Sequence, residues 1–453
     1  MSFLTHLTAI WREDSALQRV VKNSGRLFGG NAFAAGLGFI QGILAVRLIG
    51  VTDWGLVTTV ILFASNVNRL LSFRMSEVVV QRLAVSLPAG KKAEAAATVR
   101  AALLAEAGTS ILAFAVLAVL APWAAVVFGE NIHYAPLFLL YGLIILGNMV
   151  TESATGVLQS LRRFDWITRI NVAQSLVTAV IILSAFLRGG GVFEIVLAFT
   201  VGKTINGLGL ALFALRELRL ALGADWWRTS LRSLPDPRGM FGFMLNTNLN
   251  GTVYLFTRDS ILLILAALLS TTEVGYFKLA QSLINLVMLP LDPFIAPTYA
   301  EISRSVAQKQ WAATRRLLRR VSLLTAAVVL VVGGGLALTG WFLVPLSYGP
   351  EAAPAYPILL ILLAGYGFAS IFQWNRPLFL ALGKPGYPML ISLLVGLVEL
   401  VLIFALVPHM GHFALAAILS ANFIVSIGII VARGLAEIQR QEALSNNREE
   451  VKP

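Results

Sequence analysis

The chain of 453 residues is 57% hydrophobic and only 13% charged, with a mean hydropathy of +0.80. About a quarter of the residues in a soluble globular domain are charged, so this composition excludes an ordinary soluble protein. The absence of cysteine excludes a disulfide framework, a thiolate metal site and a cysteine nucleophile.

Residues 1–25 favour an amphipathic helix that lies on the cytoplasmic membrane surface. Leu7, Ile10 and Leu17 share one helical face, whereas Arg12 lies elsewhere. Such a pattern is typical of an interfacial helix rather than of a cleavable signal.

Windows of predominantly apolar residues then predict about twelve transmembrane helices. Six fall in an N-lobe over 26–215 and six in a C-lobe over 240–433, including continuous spans at 137–158 and 358–380. A cytoplasmic linker at 216–239 joins the lobes, and a cytoplasmic tail occupies 434–453. The predicted fold class is an all-α polytopic membrane protein.

Most of the 35 lysines and arginines fall on one side of these spans. The opposite side holds only Arg47 and Arg188, both near helix ends. Because positive charge stays in the cytoplasm, both termini are predicted to be cytoplasmic and the number of spans even. Membrane topology, rather than binding to nucleic acid, therefore explains the net charge of +12.

The two halves of the chain match at several junctions when they are compared at an offset of about 220 residues. The matching segments are 52–55 with 272–275, 96–100 with 312–316, and 128–130 with 348–351. Repeats of six helices share one orientation, so we expect two lobes related by an axis along the membrane normal, with a cleft between them. This is most often a transporter architecture.

Polar side chains follow one face of the first two spans of each half. These stripes include Gln41, Arg69, Asn250, Arg258, Lys278, Asn285 and Asp292. An ionisable group at membrane depth is costly unless it faces water or a partner. We interpret the stripes as the walls of a hydrated central cavity.

Simpler explanations exist for several of these cations. Arg47 and Lys278 lie near periplasmic span ends, where long side chains reach the interface. Arg69 and Arg74 lie near the cytoplasmic end of the second span, as ordinary positive-inside residues do. Arg258 lies deeper in its predicted span than these residues do. The alternative to a substrate-binding role for Arg258 is a salt bridge with Asp259 or with a residue of another helix.

From about residue 26 to residue 433 the chain resembles the polysaccharide-transporter, or Wzx-like flippase, branch of the multidrug/oligosaccharidyl-lipid/polysaccharide exporter superfamily. The residues that carry the resemblance are 47–50 with 53–55, Arg258 with Asp259, 273–280, 297–301 and 381–385. Each pattern is diffuse, and together they span both halves.

The resemblance implies a flippase, not an enzyme, with a cationic cavity between two lobes. Its substrate would be an undecaprenyl-diphosphate-linked oligosaccharide, moved from the cytoplasmic to the periplasmic leaflet of a bacterial inner membrane by alternating access. The residues expected to bind the diphosphate are Arg258, Lys278, Arg69, Arg74, Arg376 and Arg47. The residues expected to contact the glycan are Asn246, Asn250, Asn285 and Gln41.

No cofactor is expected, since the chain lacks a GxxxxGK[ST] phosphate loop for ATP. The inside-negative membrane potential, at about 2.3 kcal/mol per charge per 100 mV, would drive a diphosphate outward. Proton or sodium coupling is the alternative, with Glu152, Asp259, Asp292 and Glu399 as candidates. Expected partners are membrane lipids and a polysaccharide polymerase or other glycan-assembly proteins.

Other functions fit the sequence less well. A drug/cation antiporter of the same superfamily is the main alternative, although it would favour acidic groups in the cavity. A membrane glycosyltransferase or polymerase would need a larger extramembrane segment than the loop at 122–136, which offers only Glu130 and His133. Segment 81–100 lacks the GxxxDRxGRR-like loop of major facilitator transporters.

Overall fold

The computed structural model describes residues 15–72, 75–242, 244, 261–384 and 386–450. All regular structure within these ranges is helical, without a strand, and this confirms the predicted all-α class.

The described residues form two compact units. The first unit comprises the described residues of Met1–Leu48 and Val60–Ser260, and the second unit comprises those of Ile49–Thr59 and Ile261–Pro453. Residues 49–59, which the sequence places in the N-lobe, thus group with the second unit.

The helices of the first unit follow one another in chain order. They are α1 (Ser15–Leu71, of which 49–59 group with the second unit), α2 (Met75–Ser86), α3 (Lys92–Gly129), α4 (Ala135–Gly147), α5 (Thr151–Ser160), α6 (Phe164–Arg188) and α7 (Val192–Leu222). An apolar core that includes Met75, Leu83, Leu158 and Leu218 packs α2, α5 and α7 together.

The second unit is also built from helices. Its helices are α8 (Ile261–Leu268), α9 (Thr271–Met288), α10 (Ile295–Ala307), α11 (Trp311–Val328), α12 (Gly334–Tyr348), α13 (Ala355–Ile371), α14 (Asn375–Ala381) and α15 (Gly386–Glu450). Ile302, Trp374, Leu378 and Ile438 are buried in one apolar cluster of this unit.

Nine helical segments of the described chain are long and apolar enough to cross a membrane, so the chain is a multi-pass membrane protein. Two of them each combine two helices across a bend. α1 bends at Gly50 with φ 78°, and α15 bends at Gly411 with φ 65°, a conformation that glycine adopts without steric cost. The total of about twelve spans stays a prediction.

Local chemistry explains where several helices begin and end. The Ser270 hydroxyl accepts the Glu273 N–H at 3.4 Å at the start of α9. The Glu194 carboxylate accepts the Gly191 N–H at 2.7 Å at the start of α7. Gly189 ends α6 in the left-handed conformation, with φ 67°.

One span in each unit is interrupted, where the sequence predicts continuous helices at 137–158 and 358–380. α4 ends at Gly147 before α5 begins at Thr151, and α13 ends at Ile371 before α14 begins at Asn375. Interrupted helices expose backbone N–H and C=O groups at membrane depth, and these groups need partners.

Candidate substrate-binding surfaces

The open face of α9 is polar. Most of its apolar side chains, including Phe277, Leu283 and Ile284, are buried in the second unit, whereas Leu286 is 39% exposed. The face that remains open holds Lys278, Gln281, Ser282 and Asn285, of which Asn285 is exposed and the others half-buried. A membrane helix that faced lipid would reverse this pattern, so the open face of α9 fits a hydrated surface.

Lys278 has no ion pair with any carboxylate that the structure describes. It lies about 10 Å along the helix axis from Thr271, at 1.5 Å per residue. Asn285 follows seven residues later and therefore shares the lysine's face. The predicted diphosphate-binding and glycan-contacting residues of this span thus lie on one surface.

The first unit also has a cation deep within a helix, Lys203, to which no sequence pattern assigns a role. Lys203 is exposed near the middle of α7, about 16 Å from Val192 and about 18 Å from Leu215 along the axis. It makes no ion pair within the described part of the chain. One turn further on, the Asn206 amide donates to the Asn171 side chain at 2.8 Å.

The other predicted cations with described side chains are accessible. Arg47 and Arg69 of α1 and Arg376 of α14 are all exposed. Their roles in diphosphate binding stay predictions.

Several predicted residues fall outside the described residues. These are Asn246, Asn250, Arg258 and Asp259 in segment 245–260, and Arg74. For Asp292 the structure describes the backbone but not the side chain.

Gln41 is buried, with 4% of its surface exposed. Its amide donates to the Ser175 carbonyl at 2.7 Å and so joins α1 to α6. This geometry gives Gln41 a packing role, and its glycan contact stays a prediction.

Glu106 of α3 is a buried carboxylate that the sequence analysis did not single out. It is 1% exposed, and its two oxygens accept the backbone N–H groups of Glu152 and Ser153, each at 2.8 Å. These N–H groups belong to the first turn of α5, where no intrahelical acceptor exists. Glu106 therefore caps the helix that follows the interruption in the first unit.

The candidate coupling residues Glu152 and Glu399 each accept a hydrogen bond. The Glu152 carboxylate accepts the Ser76 hydroxyl at 2.6 Å, which places a second acidic side chain beside the Glu106 cap. Glu399 of α15 is buried and accepts the Asn422 amide. The described residues contain no cluster of three histidine, aspartate or glutamate side chains that could hold a metal ion.

Solved structures share this arrangement of helices. An inward-facing multidrug resistance MATE family transporter of the MOP superfamily matches with a TM-score of 0.69 and 13% identity, over 90% of this chain and 95% of its own. The lipid II flippase MurJ in an inward closed conformation matches with a TM-score of 0.68 and 13% identity, over 91% and 89%. A MOP superfamily transporter from Pyrococcus furiosus, whose binding pocket is described as having reverse polarity, matches with a TM-score of 0.60 and 14% identity, over 93% and 96%.

The fold is therefore that of MOP superfamily transporters and flippases. The family model for polysaccharide biosynthesis proteins matches residues 43–356. The chain belongs to this polysaccharide biosynthesis protein family, and the resemblance found in the sequence is confirmed. A comparison with curated protein sequences gives no significant match.

Proposed function

We propose that the chain moves a lipid-diphosphate-linked oligosaccharide from the cytoplasmic to the periplasmic leaflet of a bacterial inner membrane. Alternating access is the proposed mechanism, and both termini are proposed to be cytoplasmic. The observation that carries the proposal is the open face of α9, where Lys278 and Asn285 lie together with Gln281 and Ser282 on a helix whose opposite face is buried and apolar. The family match over residues 43–356 fits a role in polysaccharide biosynthesis.

The diphosphate is the part of such a substrate that needs cations in the membrane. Lys203 and Lys278 each present an ammonium group at membrane depth without a described carboxylate to neutralise it. A phosphate oxygen that meets such a group in a low-dielectric setting forms a strong charge-assisted hydrogen bond. In this proposal Arg258 binds the same group bidentately, and Arg47, Arg69, Arg74 and Arg376 guide the diphosphate along its path.

The glycan part needs neutral donors and acceptors. The amides of Asn285 and Gln281 offer both to sugar hydroxyls, and Asn246 and Asn250 complete the set in the proposal. The undecaprenyl chain stays in the bilayer.

Energy comes from the membrane potential in this proposal, and no cofactor is involved. A doubly charged diphosphate gains about 4.6 kcal/mol per 100 mV when it moves outward across an inside-negative membrane. Proton or sodium coupling through Glu152 or Glu399 is the alternative, with membrane lipids and glycan-assembly proteins as partners.

A drug/cation antiporter is the second candidate function. The fold match to a multidrug resistance transporter and the pair formed by Glu106 and Glu152 favour it, because carboxylates bind cationic drugs and coupling protons. The lysines on α7 and α9, for which the described residues supply no carboxylate partner, oppose it, since they would repel a cationic substrate.

The test is genetic. The gene is deleted in its host, then restored as wild type, as Arg258→Ala or as the matched surface control Lys92→Gln. Lys92 is exposed at the start of α3, outside the apolar stretch of the span. Surface glycan, lipid-linked precursor and membrane levels of the protein are quantified in each strain.

We expect the deletion strain to lose surface glycan and to accumulate precursor, with rescue by wild type and Lys92→Gln but not by Arg258→Ala. Unchanged surface glycan in a deletion strain without a second exporter would contradict a flippase. Raised drug sensitivity in that strain would then favour the antiporter.

A further inference from the structure

Three arginines surround one tryptophan where α6 begins and α7 approaches its end. The guanidinium carbons of Arg163, Arg169 and Arg216 lie 5.9, 5.1 and 6.0 Å from the Trp166 ring centroid. The indole stacks on Phe213 with centroids 3.8 Å apart and an interplanar angle of 20°. We call this group of residues the Trp166 cluster.

The positive charge of the Trp166 cluster is only partly neutralised. Arg163 pairs with Asp165 at 3.4 Å and with Glu217 at 3.2 Å. Arg169 and Arg216 are exposed, and neither pairs with a carboxylate in the described part of the chain. Two guanidinium groups are therefore available at the protein surface, and the aromatic stack restricts their orientation.

The surface below these arginines is apolar. Leu176 lies seven residues after Arg169 on α6, and Leu212 lies four residues before Arg216 on α7, so each leucine shares its arginine's helix face. Leu176 is 44% exposed and Leu212 is 66% exposed. This order of residues matches one leaflet of a membrane: basic groups lie at the helix ends, an aromatic pair lies beside them, and exposed leucines lie below.

We propose that Arg169 and Arg216, positioned against the Trp166–Phe213 stack, bind the phosphate of an anionic phospholipid headgroup in the cytoplasmic leaflet, with its acyl chains along Leu176 and Leu212. Charge complementarity identifies the occupant. Arginine binds phosphate oxygens bidentately, and a zwitterionic lipid brings its own cation, which the two guanidinium groups repel. The site lies on α6 and α7 and is independent of the transported substrate.

The test measures lipid binding to the purified full-length protein. Native mass spectrometry over a series of phosphatidylglycerol concentrations gives the Kd for wild type and for the double variant Arg169→Gln/Arg216→Gln. Arg316→Gln/Arg319→Gln is the matched control, because it removes two exposed arginines of α11 on the same predicted side of the membrane. Phosphatidylcholine serves as the zwitterionic probe.

We expect the double variant to bind phosphatidylglycerol at least tenfold more weakly, with the control variant within twofold of wild type. Equal weakening in both variants, unchanged binding in the double variant, or equally tight binding of phosphatidylcholine would overturn the site.

A second measurement covers the case in which the double variant does not fold. Brominated phosphatidylglycerol quenches tryptophan fluorescence at short range, so wild type and Trp166→Phe are compared in vesicles. A smaller quenched fraction in Trp166→Phe supports the site, and equal fractions overturn it.

Discussion

At the scale of single residues, the Glu106 carboxylate takes the place of the missing intrahelical acceptors at the start of α5. Both of its oxygens accept an N–H, although a carboxylate within a span is costly to bury. The two hydrogen bonds therefore explain how α5 can begin within the membrane, and they connect α3 to the interrupted span.

Glu106→Ala should lower the thermal stability of the purified protein. It leaves two buried N–H groups without an acceptor, at a cost of about 2 to 4 kcal/mol. Thermal unfolding in detergent measures the effect, with Glu77→Ala on the exposed face of α2 as control. An unchanged Tm for Glu106→Ala would show that water or another group satisfies this helix start.

At the scale of elements, the bend of α1 crosses the start of α9 at very short range. A Cβ on Gly55 would lie 1.7 Å from the Thr271 oxygen, and one on Gly275 would lie 2.3 Å from the Val51 oxygen. Positions 55 and 51 correspond to 275 and 271 in the predicted repeat, so the contact is reciprocal. This two-fold symmetry is local, and duplication of the whole chain stays a prediction.

Gly275→Ala should destabilise the second unit, because its methyl group would overlap a backbone oxygen that cannot rotate away. We expect a loss of about 1 to 3 kcal/mol, seen as a lower Tm. Gly334→Ala is the matched control, because a Cβ there meets nothing within 4 Å and alanine favours the helix. Equal Tm values for the two variants would mean that the crossing is looser than the structure indicates.

The end of α15 is held mainly by burial. Ile438 is fully buried, whereas the nearby pair of Lys384 with Glu437 is half-exposed on its lysine side. Ile438→Ala should therefore cost about 2 to 5 kcal/mol. Glu437→Gln should cost about 1 kcal/mol or less, as partly exposed ion pairs do.

Thermal unfolding also checks this ranking, with Leu444→Ala as control because Leu444 is 49% exposed. A larger loss for Glu437→Gln than for Ile438→Ala would assign the attachment of this helix to the ion pair instead.

At the scale of the whole molecule, the sequence was sufficient for the class of fold and for the family. Apolar windows alone specify helices in a bilayer, and Lys278 and Asn285 lie on one face of α9 as their spacing predicts. Apolar windows and helical spacing depend only on residues that are close together in the chain. These predictions therefore needed no information about distant contacts.

Features that depend on distant residues were not predictable in the same way. The helix interruption before Thr151 relies on Glu106, which lies 46 residues from Glu152 in the chain. The burial of Gln41 depends on a carbonyl 134 residues away. In the sequence, a polar side chain within a span looks the same whether it faces water or packs against another helix. The sequence alone therefore did not distinguish the packing role of Gln41 from the position of Lys278 on the open face of α9.

In the proposed mechanism, deep cations bind the diphosphate of a lipid-linked glycan. The most direct measurement is the leaflet distribution of the lipid-linked precursor in deletion strains that express wild type, Lys203→Gln, Lys278→Gln or the Lys92→Gln control at equal levels. We predict that either deep substitution slows the appearance of precursor in the periplasmic leaflet roughly tenfold, since each removes a charge-assisted hydrogen bond to phosphate, while Lys92→Gln behaves as wild type. Wild-type transfer by both deep variants would contradict the account.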